Sequence, residues 1–159
     1  MPEIVLASAS ASRTALLRNA GLDFSARPAV IDERAIEAPL IAAGASPPDI
    51  AMALAEAKAL TVAKDAPEAL VIGADQVLSA AGRCWHKPGS LAEARDQLLA
   101  LSGQAHTLET AVAVAAGGTI AWRHADTAHM TIRGLAAGEV DAYLGEVGER
   151  ALASVGARR

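Results

Sequence analysis

Apolar and polar positions along this chain change their period several times, and each change marks an element. Ile4-Val5-Leu6 is a short continuous apolar run, the pattern of a buried strand over residues 3–7. It gives way to Ser8-Ala9-Ser10-Ala11-Ser12-Arg13 and then to helical spacing through Ala15, Leu16, Leu17 and Ala20, closed by Gly21. Residues 22–31 read as extended, an edge strand or a loop, because Pro28 removes a ladder donor. After a connector at 42–48, Pro47 and Pro48 suit the first turn of a helix over about 49–64. Leu70-Val71-Ile72-Gly73-Ala74-Asp75 is a second buried run that ends on a carboxylate. Val77-Leu78-Ser79 and Arg83-Cys84-Trp85 flank Ala80-Ala81-Gly82 as a hairpin. Ser90 and Glu93 predict a capping box opening a helix to about residue 101. Residues 104–116 and 119–132 read as two long antiparallel strands around Gly117-Gly118, and a last helix covers about 136–147. Strands and helices mix without strict alternation, which predicts an α/β domain with a mixed sheet.

Composition sharpens that picture. The 159 residues suit one domain. Apolar residues make up 52% and aromatics only 3%, with alanine at about a quarter of all positions, so the core is built from small side chains with helices close to the sheet. Net charge is −4, and the lysines and arginines are scattered, which argues against a nucleic-acid-coating surface. A small phosphorylated ligand needs only a few cations in one place. The single cysteine, Cys84, leaves no room for an internal disulfide or a thiolate zinc cluster. No apolar run approaches the roughly 18 residues of a membrane span, and the N-terminus lacks the look of a signal peptide. The expectation is a cytoplasmic protein without a membrane partner.

Candidate chemistry sits at a few points. Ser8, Ser10, Ser12 and Arg13 lie where a strand enters a helix, and unpaired N–H groups there favour phosphate oxygens. A capping serine beside a solvated arginine is the plainer alternative. Asp75 at the end of a hydrophobic strand could hold a metal ion or an attacking water, or could simply start the hairpin. Asp32 and Glu33 could point together in a loop. Lys58 lies in an Ala/Leu-rich helix, where it either snorkels to the surface or directs its charge into a cleft. Lys87 is stiffened by Pro88. His86, His106, His124 and His129 show no ligand spacing, and no P-loop, G-x-S-x-G or G-x-G-x-x-G is present.

Taken together, these segments resemble a known family. Leu6-Ala7-Ser8-Ala9-Ser10 with Arg13 and Leu16-Leu17, then Asp32-Glu33, then Leu54-Ala55-x-x-Lys58-Ala59 are similar to successive motifs of the Maf family of nucleoside triphosphate pyrophosphatases. Val71-Ile72-Gly73-Ala74-Asp75-Gln76, Lys87-Pro88, and Leu101-Ser102-Gly103 followed by His106 and Thr110 continue the series, from residue 3 to about 157. The resemblance implies an elongated mixed β-sheet flanked by helices, with two lobes and a central cleft, as in inosine-triphosphatase-like folds. It implies a single domain over 1–159, a cytoplasmic homodimer, and hydrolysis of a nucleoside triphosphate to monophosphate and pyrophosphate with Mg²⁺ or Mn²⁺. Asp75 matches the catalytic proton acceptor and a metal ligand, Glu33 a catalytic, metal- or substrate-positioning acid, and Lys87 a catalytic cation. Ser8, Ser10, Arg13, Lys58 and Lys87 match phosphate-handling positions, and Gln76 a substrate contact. Asp75-Gln76 resembles the arm of the family acting on 7-methyl-GTP rather than on dTTP or UTP.

The chain also departs from the family. Ala11-Ser12-Arg13 replaces Pro-Arg-Arg, so one arginine is absent, and His86 replaces the glycine before Lys87. The sequence ends at Gly156-Ala157-Arg158-Arg159, before the family's usual C-terminal segment with its substrate-contacting Gln or acid, and Arg158-Arg159 do not match the family. The expectation is therefore a domain lacking that segment. The competing reading is a catalytically weak nucleotide-binding regulator linked to cell division. Retention of Glu33, Lys58, Asp75 and Lys87 favours the enzyme.

Overall fold

Residues 1–157 are described by a computed structural model, whose order begins β1 (Ile4–Leu6), α1 (Ala11–Asn19), β2 (Ser25–Ala26), α2 (Glu33–Ala42) and α3 (Pro47–Ala63). It continues with β3 (Leu70–Ala80), β4 (Arg83–Trp85), α4 (Leu91–Leu101), β5 (Ala105–Ala116), β6 (Thr119–Thr131) and α5 (Ala137–Val147), and short 3₁₀ turns follow over Gly148–Ala153 and Val155–Ala157. Arg158 and Arg159, whose mismatch to the family was noted, lie outside the described residues. The strands form one six-stranded sheet in the order β2-β1-β3-β5-β6, with β4 paired to β3. β1 runs parallel to β2 and β3, while β3 and β4 are antiparallel, so the sheet is mixed as expected. Ala81 and Gly82, at φ 50° and 71°, make the tight turn between β3 and β4. None of the helices among the described residues is long and apolar enough to cross a membrane.

The chain divides into two units, the first Met1–Gln76 with Thr110–Asp126, the second Val77–Glu109 with the chain from Thr127 on. The first unit's core is made of Val5, Ala7 and Val71 on the strands against Ala59, Val62 and Ala63 of α3. In the second, Leu98 packs with Val140, Leu144 and Val147, and Leu78 with Leu101 and Leu108.

The structure differs locally from these expectations at several points. The strand that opens at Leu70 does not end on Asp75 but runs on to Ala80, so Asp75 lies mid-strand. The run past Asp75 alternates too weakly to be seen as its continuation, and pairing on both sides sustains it. Asp32 and Glu33 are not loop acids: Asp32 caps α2, its carboxylate accepting the Ala35 N–H at 3.0 Å, and Glu33 is the first helical residue. α1 keeps its helical spacing but buries none of its residues, and Leu16 is exposed. Its cap is Ser10, whose Oγ accepts the Arg13 N–H. The expected Ser90/Glu93 box closes differently. Ser90 Oγ accepts the Glu93 N–H at 3.2 Å, while the Glu93 carboxylate accepts the N–H of Gly89 at 2.6 Å.

Candidate active site

In the first unit, the site begins where β1 stops. The Ala7 N–H donates to Ile72 O at 2.8 Å, which extends the parallel β1/β3 ladder and sets Ser8 beside the Gly73-Ala74 stretch of β3. The chain then turns into α1. Ser8 is buried, and its Oγ accepts from the Ser10 N–H at 3.1 Å and from Arg13 Nη1 at 3.3 Å. Ser10 Oγ caps the helix through the Arg13 N–H at 3.4 Å. The plain capping role and the cradle are thus the same structure. Arg13 is folded back over the turn, so its guanidinium stands at the start of the helix together with the first-turn N–H groups.

Across β3, α3 comes unusually close to the strand. A Cβ on Gly73 would lie 2.1 Å from Ala55 O and 2.7 Å from Ala59 N, so no side chain fits there. Ala55 and Ala59 are the facing helical residues, and both are fully buried. Glycine in a strand serves here to admit another backbone. Lys58 sits in the same turn of α3, and Asp75 is two residues beyond Gly73 and so on the same face of the strand. That close approach brings them together. Lys58 Nζ donates to Asp75 Oδ1 at 2.5 Å, and it meets Glu33 Oε1 at 2.7 Å. The side chains of Lys58 and Asp75 are only 11% and 10% exposed, whereas Glu33 is 51% exposed at the outer edge of the cluster. Lys58 therefore neither snorkels nor stands free; two carboxylates hold it.

Gln76 points to the other face of β3, where its Nε2 donates to Thr110 Oγ1 at 2.9 Å. Lys87 belongs to the second unit, exposed on the segment between β4 and α4. The structure thus joins Ser8, Ser10 and Arg13 at one turn and Glu33, Lys58 and Asp75 in one cluster. Gly73 was quoted in a motif but given no role. A glycine inside a buried apolar run is the one signal the sequence offers for it; the facing alanines are identified only by the fold.

Asp75 and Glu33 have the donor chemistry for a hard divalent cation. Among the described residues no three His, Cys, Asp or Glu side chains converge on one point. Mg²⁺ does not need such a cage, since one or two carboxylates completed by substrate phosphates and waters suffice. Both carboxylates already point at one positive centre. The donor set fits.

Comparison with known proteins places the chain among catalysts of one kind. The family model described as Maf-like protein matches residues 3–158. A 7-methyl-GTP pyrophosphatase of Rhizobium meliloti (strain 1021) is 54% identical over 156 residues, covering 98% of this chain and 78% of that protein. A protein of the same name in Brucella abortus biovar 1 (strain 9-941) is 52% identical, with 98% and 78% covered. A nucleoside triphosphate pyrophosphatase of Rhodopseudomonas palustris (strain BisB18) is 46% identical, covering 96% of this chain and 75% of its own length.

Proposed function

The chain belongs to the Maf-like protein family, and from that membership we propose that it hydrolyses a nucleoside triphosphate to the monophosphate and pyrophosphate, with 7-methyl-GTP preferred. The observation that carries this reading is the Lys58–Asp75–Glu33 cluster in the same unit as the Ser8–Arg13 turn. A triphosphate is a polyanion whose reacting phosphorus needs a base on one side and positive charge around its oxygens.

Asp75 is the group positioned to take a proton. Its carboxylate accepts the proton of the water that attacks the α-phosphorus, the bond from that phosphorus to the bridging oxygen breaks, and pyrophosphate leaves. Arg13 and the first-turn N–H groups of α1 meet charge on the phosphoryl oxygens. Ser8 and Ser10 hold the turn that aims them. Lys58 supplies a second positive centre, and Lys87 keeps the phosphate-handling role that its motif carries. A divalent cation held by Asp75 and Glu33 would polarise phosphoryl oxygens and neutralise charge there.

The base preference is supported by the names of the Rhizobium and Brucella relatives and by Gln76 after Asp75. Pyrophosphate release from 7-methyl-GTP, GTP, dTTP and UTP, with Mg²⁺ or Mn²⁺, tests both levels. The highest kcat/KM is expected for 7-methyl-GTP. A clear preference for dTTP or UTP would reverse the base assignment, and no release from any triphosphate would remove the reaction.

A further inference from the structure

Lys58 is held more tightly than a lysine waiting for a phosphate needs to be. Its Nζ lies 2.5 Å from Asp75 Oδ1 and 2.7 Å from Glu33 Oε1. With its side chain only 11% exposed, the carboxylates and not bulk water solvate the ammonium. An ammonium has three donors and no acceptor. Two of those donors are directed at one oxygen each of Asp75 and Glu33, the two carboxylates assigned to a divalent cation. Each carboxylate keeps a second oxygen, but an ammonium in contact with both lies between them and repels a second positive centre entering there. The α3 backbone rests directly on Gly73 through Ala55 and Ala59, so moving the helix would break that backbone packing, whereas moving one side chain would not. The flexible four-carbon stem of the lysine gives its ammonium the means to move without disturbing either backbone.

We propose that Lys58 is a built-in counter-ion that occupies the Asp75–Glu33 pair in the free protein and must swing away before a divalent cation enters. The released ammonium then finds its new partner in a substrate phosphate, so cation entry and nucleotide binding favour each other. The inference rests on the reading of Asp75 and Glu33 as the metal-holding pair. Linkage makes the coupling reciprocal: the cation alone binds weakly, the triphosphate alone binds weakly, and each strengthens the other.

The test measures Mn²⁺ binding to the full chain by electron paramagnetic resonance, without nucleotide. Lys58→Met removes the competing charge and is expected to tighten Mn²⁺ binding by about 5- to 150-fold, the usual span for coupled sites. Lys58→Arg keeps the charge and is expected to bind Mn²⁺ as the parent does. Unchanged or weaker Mn²⁺ affinity in folded Lys58→Met overturns the proposal. Because the methionine variant leaves two carboxylates facing each other, a second readout uses the unaltered chain. Its lysines are Lys58, Lys64 and Lys87, so the ε-position resonances can be assigned by single substitution. Titration with Mg²⁺ alone is expected to shift the Lys58 signal; a signal that stays fixed while Mg²⁺ binds also overturns the proposal. Pyrophosphate release by the unaltered chain keeps the two readings apart. Release with no tightening in Lys58→Met removes the displacement alone. Tightening without release removes the reaction and leaves the displacement standing.

Discussion

In the first unit, Lys58 meets Asp75 at 2.5 Å and Glu33 at 2.7 Å; in the second, Arg95 meets Asp141 at 2.6 Å and Arg133 meets Glu139 at 2.8 Å. By distance the two regions are alike. They differ in what surrounds the charges. Lys58 and Asp75 are about nine-tenths withdrawn from solvent, whereas the four residues around α5 are open to it, with Arg133 68% exposed. Exposed pairs gain little, because water and salt screen them and two long side chains lose freedom. The pair inside α3 and β3 has lost its hydration, so each member depends on the other, and removing one leaves a charge with nothing to replace water. Burial, not separation, marks the site where a competing ion or a substrate can change the balance.

The largest expected effect comes from breaking the buried pair at its base. Asp75→Asn keeps the shape and an oxygen that can accept from Lys58, but it cannot take a proton. Turnover at saturating metal should fall on the order of 10²–10⁴-fold, as for loss of a general base, with the folded state retained. Near-parental turnover would take Asp75 out of the reaction.

Gly73→Ala attacks the same region through its scaffold. The new Cβ would meet Ala55 O at 2.1 Å, so α3 must shift away from β3 and carry Lys58 with it. Overpacking costs typically about 1–3 kcal/mol, and a backbone neighbour cannot turn aside as a side chain does. A lower melting temperature together with a lost Lys58–Asp75 contact is expected. An unshifted melt with full activity would show that the close approach is dispensable.

Lys87→Ala sharpens the comparison, because Lys87 is an exposed cation given a functional role. Loss of one charge-assisted contact to substrate costs roughly 1.5–3 kcal/mol, seen as a fall in kcat/KM with both KM and kcat affected. Normal kinetics would confine the important positive charge to the first unit.

The smallest effects belong to the exposed pairs. Arg133→Ala and Arg95→Ala should leave activity unchanged and the melting temperature close to the parent's, more so in high salt. Their pH signature follows from the acids. The hydrogen bond from Arg133, helped by the Ala136 N–H, holds Glu139 below the ordinary glutamate range, and that from Arg95 holds Asp141 below the aspartate range. Each folded-state value is depressed, so the contribution is complete above the unfolded value and is lost as pH falls through the folded one. A small extra loss of stability is therefore expected in acid below about pH 4, reduced in the two alanine variants. Thermal melts from neutral to acid pH will show it, and an identical acid profile in parent and variants would assign these acids no share.

The motifs that carry the site were legible as residue types. Ser8, Ser10 and Arg13 at a strand-to-helix junction, Asp75 in a hydrophobic run and Lys58 on an alanine-rich helix each stood out, because polar groups in apolar or helix-starting contexts are conspicuous. The local chain around Asp75 and around Glu33 was misread. α2 was missed because Pro39 lies inside its residues 33–42, and a proline there reads as a break although the Asp32 cap marks a helix start. β3 was cut short at Asp75 because a carboxylate inside a strand is costly unless something pairs with it, and the partner lies 17 residues away in sequence.

Local chemistry by itself determined the caps, the turns and the element types. Pro47 after Ser46 begins a helix, and Ala81-Gly82 closes a hairpin, through interactions among residues a few positions apart. The mixed sheet and the small-residue core were likewise implied by pattern and composition. Only the tertiary structure decided that Lys58 faces inward, that Asp75 stays within a strand, and that Glu33 completes their cluster. Those outcomes depend on how closely α3 can approach β3, which Gly73, Ala55 and Ala59 set jointly through backbone contact. A steric allowance shared by two distant segments has no period along either one, and it becomes visible only when both are in place.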